Sequence, residues 1–130
     1  LKGRELLNEG IKTASMVQYV ARCGNFKSAG LKYTGDPDKP VKTVAACTGA
    51  GSEFVACAGL CDVYVTGDLK YHDAQFAKES GFAVIDAGHW GTEWIFVPNM
   101  AEKLRKKLGT KSGIKVIESR VNQDPFSFMV

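Results

Sequence analysis

The sequence predicts an α/β protein with a mostly parallel sheet flanked by helices. Three short runs have the length and the β-branched content of strands, and each is bounded by glycine, aspartate or proline: Val41–Cys47, Asp62–Thr66 and Phe82–Ile85. A stretch with helical spacing of apolar residues follows each run. Strands that alternate with helices form βαβ units with right-handed crossovers, and these units place their strands parallel.

The composition is that of a globular protein. The chain has 130 residues, of which 45% are hydrophobic and 24% are charged, and its formal net charge is +3. That charge is too small to indicate nucleic-acid binding, and the basic run within residues 103–111 is interpreted as a solvated helix face. No apolar run approaches the roughly 20 residues of a membrane span, and no signal peptide is visible.

The cysteines indicate a reducing compartment. Cys23, Cys47, Cys57 and Cys61 form no C-x-x-C pair, so the zinc-ribbon and thioredoxin motifs are absent from the sequence. The small neighbours of Cys57 and Cys61 favour inert packing thiols. Together with the lack of a secretion signal, this predicts a cytoplasmic protein.

The domain organisation is predicted to be simple. Residues 15–130 are interpreted as one α/β domain, and residues 1–14 as a linker or the end of a preceding segment. The chain begins with Leu1 and not with Met, which predicts that it is processed or is a fragment of a longer protein.

The first half of the chain predicts two helices and two strands. The first helix is expected to end near Gly24. Leu31–Thr34 is predicted to be a short edge strand, and Val41–Cys47 a central strand. Thr48–Ser52 is rich in glycine and predicts a turn, after which Ser52–Leu60 predicts a helix capped by Ser or Thr.

The second half continues the alternation. Its first predicted elements are a strand, a helix and a second strand, at Asp62–Thr66, Lys70–Ser80 and Phe82–Ile85. A further helix is expected to run to Leu108, with Pro98 at its first position. Ile114–Ser119 is predicted to be the last strand.

Ionisable side chains follow the predicted strand ends, where α/β proteins collect their ligands. Asp68 and His72 follow the second strand, and Asp86, His89 and Glu93 follow the third. If a helix begins at Gly88, then His89 and Glu93 lie one turn apart on one face. An imidazole with carboxylates suits metal-assisted hydrolysis better than nucleophilic catalysis, since no G-x-S-x-G elbow is present. The alternative is an ordinary helix pair beside a core.

The ligand count is incomplete for a tight metal site. His89 and Glu93 are two donors, whereas a divalent ion commonly takes three or four from the protein. Asp68 is one candidate for a third. Otherwise the missing ligands come from another chain or from sequence outside these residues. Zinc, iron and manganese suit this donor set almost equally.

The glycine-rich turn is a candidate anion site. Thr48, Gly49, Gly51 and Ser52 place backbone N–H groups at a predicted helix start. The turn is not a dinucleotide fingerprint, because Phe54 stands where the third glycine belongs, and no G-K-[ST] of a P-loop follows. The alternative is a tight turn without a ligand.

Four distinctive blocks follow one another along the chain. They are Gly35-Asp36-Pro37 with the glycine-rich turn, Thr66 to Ala74, Asp86-Ala87-Gly88-His89-Trp90-Gly91-Thr92-Glu93, and Asn122-Gln123-Asp124-Pro125-Phe126. In this order they resemble the C-terminal half of the Nif-three-like family, which includes proteins called GTP cyclohydrolase I type 2. The resemblance runs from Met16 to Phe126, and the third block is similar to the family's D-A-G-H-x-x-T-E.

The resemblance implies a dinuclear metal centre in which His89 and Glu93 are ligands. The remaining ligands, including two adjacent histidines and an aspartate, belong to the N-terminal half of the family, and this sequence has no adjacent histidines. The resemblance also implies a homohexameric assembly and two divalent metal ions per complete site.

The resemblance further implies a metal-dependent hydrolase that acts on GTP or on a related nucleotide or phosphoester. Asp68 and His72 would then support the metal ligands or carry protons, and the turn at Thr48–Ser52 would hold an anionic substrate. One alternative is a non-catalytic regulatory protein with structural metal, which binds partners through an apolar surface around Trp90, Trp94 and Phe96. Another is a nucleotide-binding module without metal.

Overall fold

The computed structural model describes residues 12, 13, 20, 31–121 and 123–127. In this part of the chain the strands are β1 (Lys32–Thr34), β2 (Val44–Ala50), β3 (Val63–Gly67) and β4 (Ala83–Asp86). The helices are α1 (Val55–Ala58), α2 (Tyr71–Glu79), α3 (His89–Glu93) and α4 (Phe96–Leu108). Single turns of 3-10 helix lie at Ser52–Phe54 and Thr110–Ser112.

The four strands form one mixed sheet in the order β1-β4-β3-β2. Strands β2, β3 and β4 are parallel, whereas β1 runs antiparallel to β4, with Lys32 opposite Asp86. The predicted α/β class with a mostly parallel sheet is confirmed. The short edge strand predicted at Leu31–Thr34 is also confirmed, and it is the antiparallel member.

Apolar residues cover both faces of the sheet, because side chains alternate along each strand. One face carries a buried cluster of Val41, Val63, Ala83 and Ile85. The opposite face packs against α1 and α2 through a second cluster, Val55, Ala58, Tyr64, Ala77, Phe82 and Val84. The two clusters pack on opposite faces of β3 and β4, the middle strands of the sheet. This packing holds the carboxyl ends of both strands in place.

Three predicted elements differ in the structure. Val41–Cys47 was expected to be a central strand, but β2 begins at Val44 and lies at an edge of the sheet that the described residues form, because strand order depends on tertiary packing and not on local pattern. Pro98 is the third residue of α4, and its missing N–H is tolerated there because first-turn N–H groups have no intrahelical partner. The strand predicted at Ile114–Ser119 is wrong: the segment has no regular structure, and both isoleucines are exposed.

Part of the glycine-rich segment is strand and not turn. Thr48, Gly49 and Ala50 belong to β2, although the pairing of β2 with β3 is irregular between Ala46 and Ala50. The predicted helix Ser52–Leu60 is divided into a 3-10 turn and the short α1.

The division at residue 14 and the predicted first helix lie mostly outside the described residues. Of this region, Thr13 is buried and its N–H donates to the carbonyl of Lys39 at 3.0 Å, while Val20 packs against the first core cluster. No helix among the described residues is long and apolar enough to cross a membrane.

Candidate metal centre

The carboxyl ends of β2, β3 and β4 meet at one edge of the sheet, because the three strands are parallel. Gly67 ends β3 and packs directly against the next turn. A Cβ atom there would lie 2.6 Å from the carbonyl carbon of Gly88 and 2.7 Å from the backbone nitrogen of His89. Only glycine permits this approach, and it brings the start of α3 against the end of β3.

The turn before α3 is held by the buried carboxylate of Asp86. Its Oδ1 accepts the N–H of Gly88 at 3.0 Å, and its Oδ2 accepts the N–H of Leu69 at 3.4 Å. The same oxygen lies 2.9 Å from Nζ of Lys32 on β1. Asp86 therefore connects the segments that follow β3 and β4, and Gly88 turns the chain with a φ of +73°.

Three ionisable side chains meet at this edge. The Nδ1 atom of His89 lies 2.6 Å from Oδ2 of Asp68, and its Nε2 atom lies 3.2 Å from Oε2 of Glu93. His89 and Glu93 lie one turn apart on α3, as their spacing predicted. All three side chains are about half exposed, so the cluster opens to solvent.

The two carboxylates of the cluster favour the protonated, positively charged form of His89. The hydrogen bond to Asp68 raises the pKa of His89 above its ordinary value, and the negative charge of Glu93 acts in the same direction. Burial opposes both effects, and the net pKa shift remains upward.

The backbone of Asp68 is unusual. Its φ is +51°, and it is the one non-glycine residue with positive φ in the described part of the chain. Aspartate tolerates the left-handed conformation better than most residues. This conformation follows the end of β3 and directs the carboxylate to His89.

The separation of Nε2 in His89 from Oε2 in Glu93 fits two ligands of one metal ion. Ligands at about 2.1 Å from a metal, with an angle between 90° and 109°, lie about 3.0–3.4 Å apart, and the observed distance is 3.2 Å. No group of three or more His, Cys, Asp or Glu residues in the described ranges could hold a metal ion. Asp68 contacts the other ring nitrogen, so at most two groups of this cluster, Nε2 of His89 and the carboxylate of Glu93, face one shared position.

The glycine-rich segment forms a wall of this cluster. A Cβ atom at Gly49, which has a φ of +69°, would overlap the carboxylate of Glu93 and lie 3.2 Å from Nε2 of His89. The N–H of Gly49 donates to Oγ1 of Thr92 at 2.8 Å, and the N–H of Gly51 donates to the carbonyl of Gly49 at 3.2 Å. These two N–H groups therefore have partners within the protein.

The other predicted site residues lie in different surroundings. Ser52 is buried and directed to the start of α2, where its Oγ donates to Oδ2 of Asp73 at 2.5 Å and accepts the N–H of Lys70 at 3.0 Å. Thr48 is exposed on β2. His72 is exposed on α2, and its ring packs edge-on against Tyr71 with the centroids 5.4 Å apart.

Sequence reasoning missed the supporting residues Thr92 and Gly67, and it placed Asp86 at the end of its strand without a supporting role. Thr92 ties α3 to β2, Gly67 admits the turn before α3, and Asp86 holds that turn. Thr92 lies one turn from Gly88, where a hydroxyl is expected to bond to the helix backbone. That position was the one local signal for its role.

The fold and the cluster define an α/β protein with an imidazole and two carboxylates at the carboxyl edge of a parallel sheet. The chain belongs to the Duf34/NIF3 (NGG1p interacting factor 3) family, whose sequence model matches residues 4–125.

Relatives of known name support this assignment. A Mycobacterium leprae protein named GTP cyclohydrolase 1 type 2 homolog is 38% identical over 119 residues, which are 87% of this chain and 30% of that protein. A Clostridium acetobutylicum protein of the same name is 41% identical over 108 residues, 80% of this chain and 40% of that protein. The chain thus spans between 30% and 40% of the length of these relatives.

Solved structures show the same fold. A Bacillus cereus protein related to NIF3 superposes with a TM-score of 0.81 at 28% identity, covering 93% of this chain and 34% of that chain. A Staphylococcus aureus protein superposes with a TM-score of 0.82 at 26% identity, covering 93% of this chain and 39% of that chain.

Proposed function

We propose that His89 and Glu93 are two ligands of a divalent metal centre in a hydrolase that acts on a nucleotide or another phosphoester. The observation that carries the proposal is the 3.2 Å separation of Nε2 in His89 from Oε2 in Glu93. In a neutral imidazole whose proton is on Nδ1, both of these atoms present lone pairs. A cation between them removes their repulsion.

The charge of the cluster supports the same proposal. Asp68 and Glu93 flank one imidazole, so the cluster carries net negative charge whether His89 is protonated or neutral. Because the side chains are about half exposed, a hydrated metal ion can reach them without opening the core. Imidazole and carboxylate ligands suit zinc, iron or manganese.

The remaining ligands belong, in this proposal, to the rest of a longer protein or to another copy of the chain. A bound divalent ion would supply Lewis-acid activation of a substrate oxygen or of water. The protein's own residues hold the geometry: Gly49 leaves space for the Glu93 carboxylate, and Thr92 fixes the helix that carries both ligands. The substrate class is supported by the name of the relatives, GTP cyclohydrolase 1 type 2 homolog.

Metal content tests the ligand assignment. The 130-residue chain is loaded with zinc, iron(II) or manganese, exchanged into metal-free buffer and measured by elemental analysis, beside His89→Ala and Glu93→Gln. We expect both variants to retain less metal than the wild type, because each removes one of two ligands.

The matched control is His72→Ala. The proposed ligands do not include His72: the ionisable side chains beside His89 are Asp68 and Glu93, and the ring of His72 packs against Tyr71. Equal metal content in the wild type and in His89→Ala, measured in the longer protein as well as in this chain, would contradict the ligand assignment.

A second candidate is a non-catalytic protein that uses the metal to hold a partner-binding surface. It is favoured by the apolar residues Ile95 and Phe96, which are 45% and 61% exposed and follow Glu93 closely. Turnover of GTP or of a phosphoester by the longer protein, abolished in Glu93→Gln, supports the hydrolase. Retained metal without turnover of either substrate supports the second candidate.

A further inference from the structure

We propose that Asp68 is a positioning residue that fixes the ring orientation and the tautomer of His89. The Oδ2 atom of Asp68 lies 2.6 Å from Nδ1, a short distance even for a charge-assisted hydrogen bond. The opposite ring nitrogen, Nε2, faces Glu93. Asp68 therefore acts through His89 and not on a substrate.

The two nitrogens compete for one proton when the imidazole is neutral. A carboxylate oxygen lies beside each, but the one from Asp68 is at 2.6 Å and the one from Glu93 is at 3.2 Å. The shorter contact places the proton on Nδ1, where it is donated to Asp68. The lone pair of Nε2 is then directed to Glu93, as a ligand to a shared cation requires. A carboxylate behind a metal-binding histidine has this effect in many metal sites.

The backbone of Asp68 gives an independent reason to assign a role to its side chain. Glycine adopts a φ of +51° without steric cost, whereas aspartate does so at some cost. The chain uses glycine at neighbouring positions with positive φ, such as Gly49 and Gly88. At position 68 it uses a carboxylate in the same conformation, directed to His89.

This conformation allows a clean substitution. Asp68→Gly keeps the backbone conformation and removes the acceptor, whereas Asp68→Asn keeps an acceptor oxygen and tolerates the same φ. The purpose of the positioning rests on the proposed metal site, but the tautomer of His89 can be measured without any metal.

The experiment is nitrogen NMR of the histidine side chains in the metal-free 130-residue chain, at a pH well above the pKa of His89. The chain has two histidines, so His72 serves as the internal reference. We expect His89 to carry its proton on Nδ1 in the wild type and in Asp68→Asn. We expect the proton to move to Nε2 in Asp68→Gly, because Glu93 is then the nearest acceptor.

Zinc titration of the same samples, with thermal unfolding to show that each variant is folded, supplies the second measurement. We expect Asp68→Gly to bind zinc about 10- to 100-fold more weakly than the wild type, and Asp68→Asn to recover most of the loss. An unchanged tautomer in folded Asp68→Gly overturns the inference. If the tautomer depends on Asp68 but zinc binds neither to this chain nor to the longer protein, the positioning stands and the proposed metal site fails.

Discussion

Thr92 fastens α3 to the end of β2, because its Oγ1 accepts the N–H of Gly49 at 2.8 Å. The hydroxyl proton is available to the carbonyl oxygens of Gly88 and His89, each at 3.0 Å. The hydroxyl of Thr92 thus accepts a buried N–H of the sheet and can donate to a carbonyl at the start of the helix that carries His89 and Glu93.

Replacing Thr92 with valine should destabilise the protein, because the shape is kept but the N–H of buried Gly49 loses its acceptor. We expect the free energy of unfolding to fall by about 1–3 kcal/mol, measured by urea denaturation. Thr92→Ser keeps the hydroxyl and is the control. A Thr92→Val variant as stable as the wild type, beside a less stable Thr92→Ser, would show that the methyl group matters and the hydrogen bond does not.

Gly67→Ala should displace the turn before α3. The added Cβ would lie 2.6–2.7 Å from backbone atoms of Gly88 and His89, which cannot move aside as a flexible side chain can. We expect a loss of about 1–3 kcal/mol in the free energy of unfolding, together with weaker metal retention. Gly81→Ala is a useful comparison, because its Cβ would meet no atom within 4 Å and only its φ of +79° opposes the change. The prediction fails if Gly67→Ala retains metal as the wild type does.

Asp62 should give a pH-dependent contribution to stability. Its Oδ2 accepts the N–H groups of Lys42 and Thr43, each at 2.9 Å, and these hydrogen bonds lower the pKa of the carboxyl below its ordinary value. The ionised form therefore stabilises the folded state above the unfolded pKa of about 3.9, and this stabilisation is lost as the pH falls through the lower folded pKa.

The test is Asp62→Asn, followed by unfolding from neutral to acidic pH. We expect the variant to be about 1 kcal/mol less stable near pH 7, because hydrogen bonds to a charged acceptor are stronger. The difference should shrink as the pH falls below about 4. The exposed Glu53→Gln is the control, and a difference that does not change with pH would contradict the assignment.

The pair of Lys32 and Asp86 should be asymmetric in its energetics. The Asp86 side chain is 4% exposed and accepts two backbone N–H groups, whereas Lys32 is 78% exposed. We expect Asp86→Asn to lower the free energy of unfolding by about 1–3 kcal/mol, because an amide has one acceptor oxygen and its NH₂ group would face one of the two backbone N–H donors. Lys32→Gln should cost about 1 kcal/mol or less, since an exposed ammonium remains well solvated. Chemical denaturation measures the loss of unfolding free energy in each variant, and equal losses would contradict the predicted asymmetry.

The parts of the site that could be predicted are local in sequence. His89 and Glu93 share a face because helix geometry alone relates residues four apart, once Gly88 ends the turn. The α/β class was predictable for the same reason, because strand and helix patterns alternate over short stretches. The family resemblance found by sequence motifs is confirmed over residues 4–125.

The parts that could not be predicted depend on tertiary contacts. A Ser or Thr side chain was expected to cap the helix predicted at Ser52–Leu60, but no side chain does so, and the hydroxyl of Ser52 bonds to Lys70 and Asp73. The 2.6 Å contact of Asp68 with His89 depends on a left-handed residue after β3, which no sequence pattern required. The anion-binding role of the glycine-rich segment and the proton-carrier role of His72 stay predictions.

Strand β2 lies at the edge of the sheet, and within the described residues β3 is the strand that pairs with it. Its sequence, Val44 to Ala50, has no charged residue and no proline, the features by which edge strands commonly resist association. Apart from the N–H of Gly49, which donates to Thr92, the outer N–H and C=O groups of β2 can pair with a strand from a neighbouring molecule. Purified chain is therefore expected to lose solubility as its concentration rises, and a lysine on the exposed side of β2, such as Ala46→Lys, is the remedy we would try first.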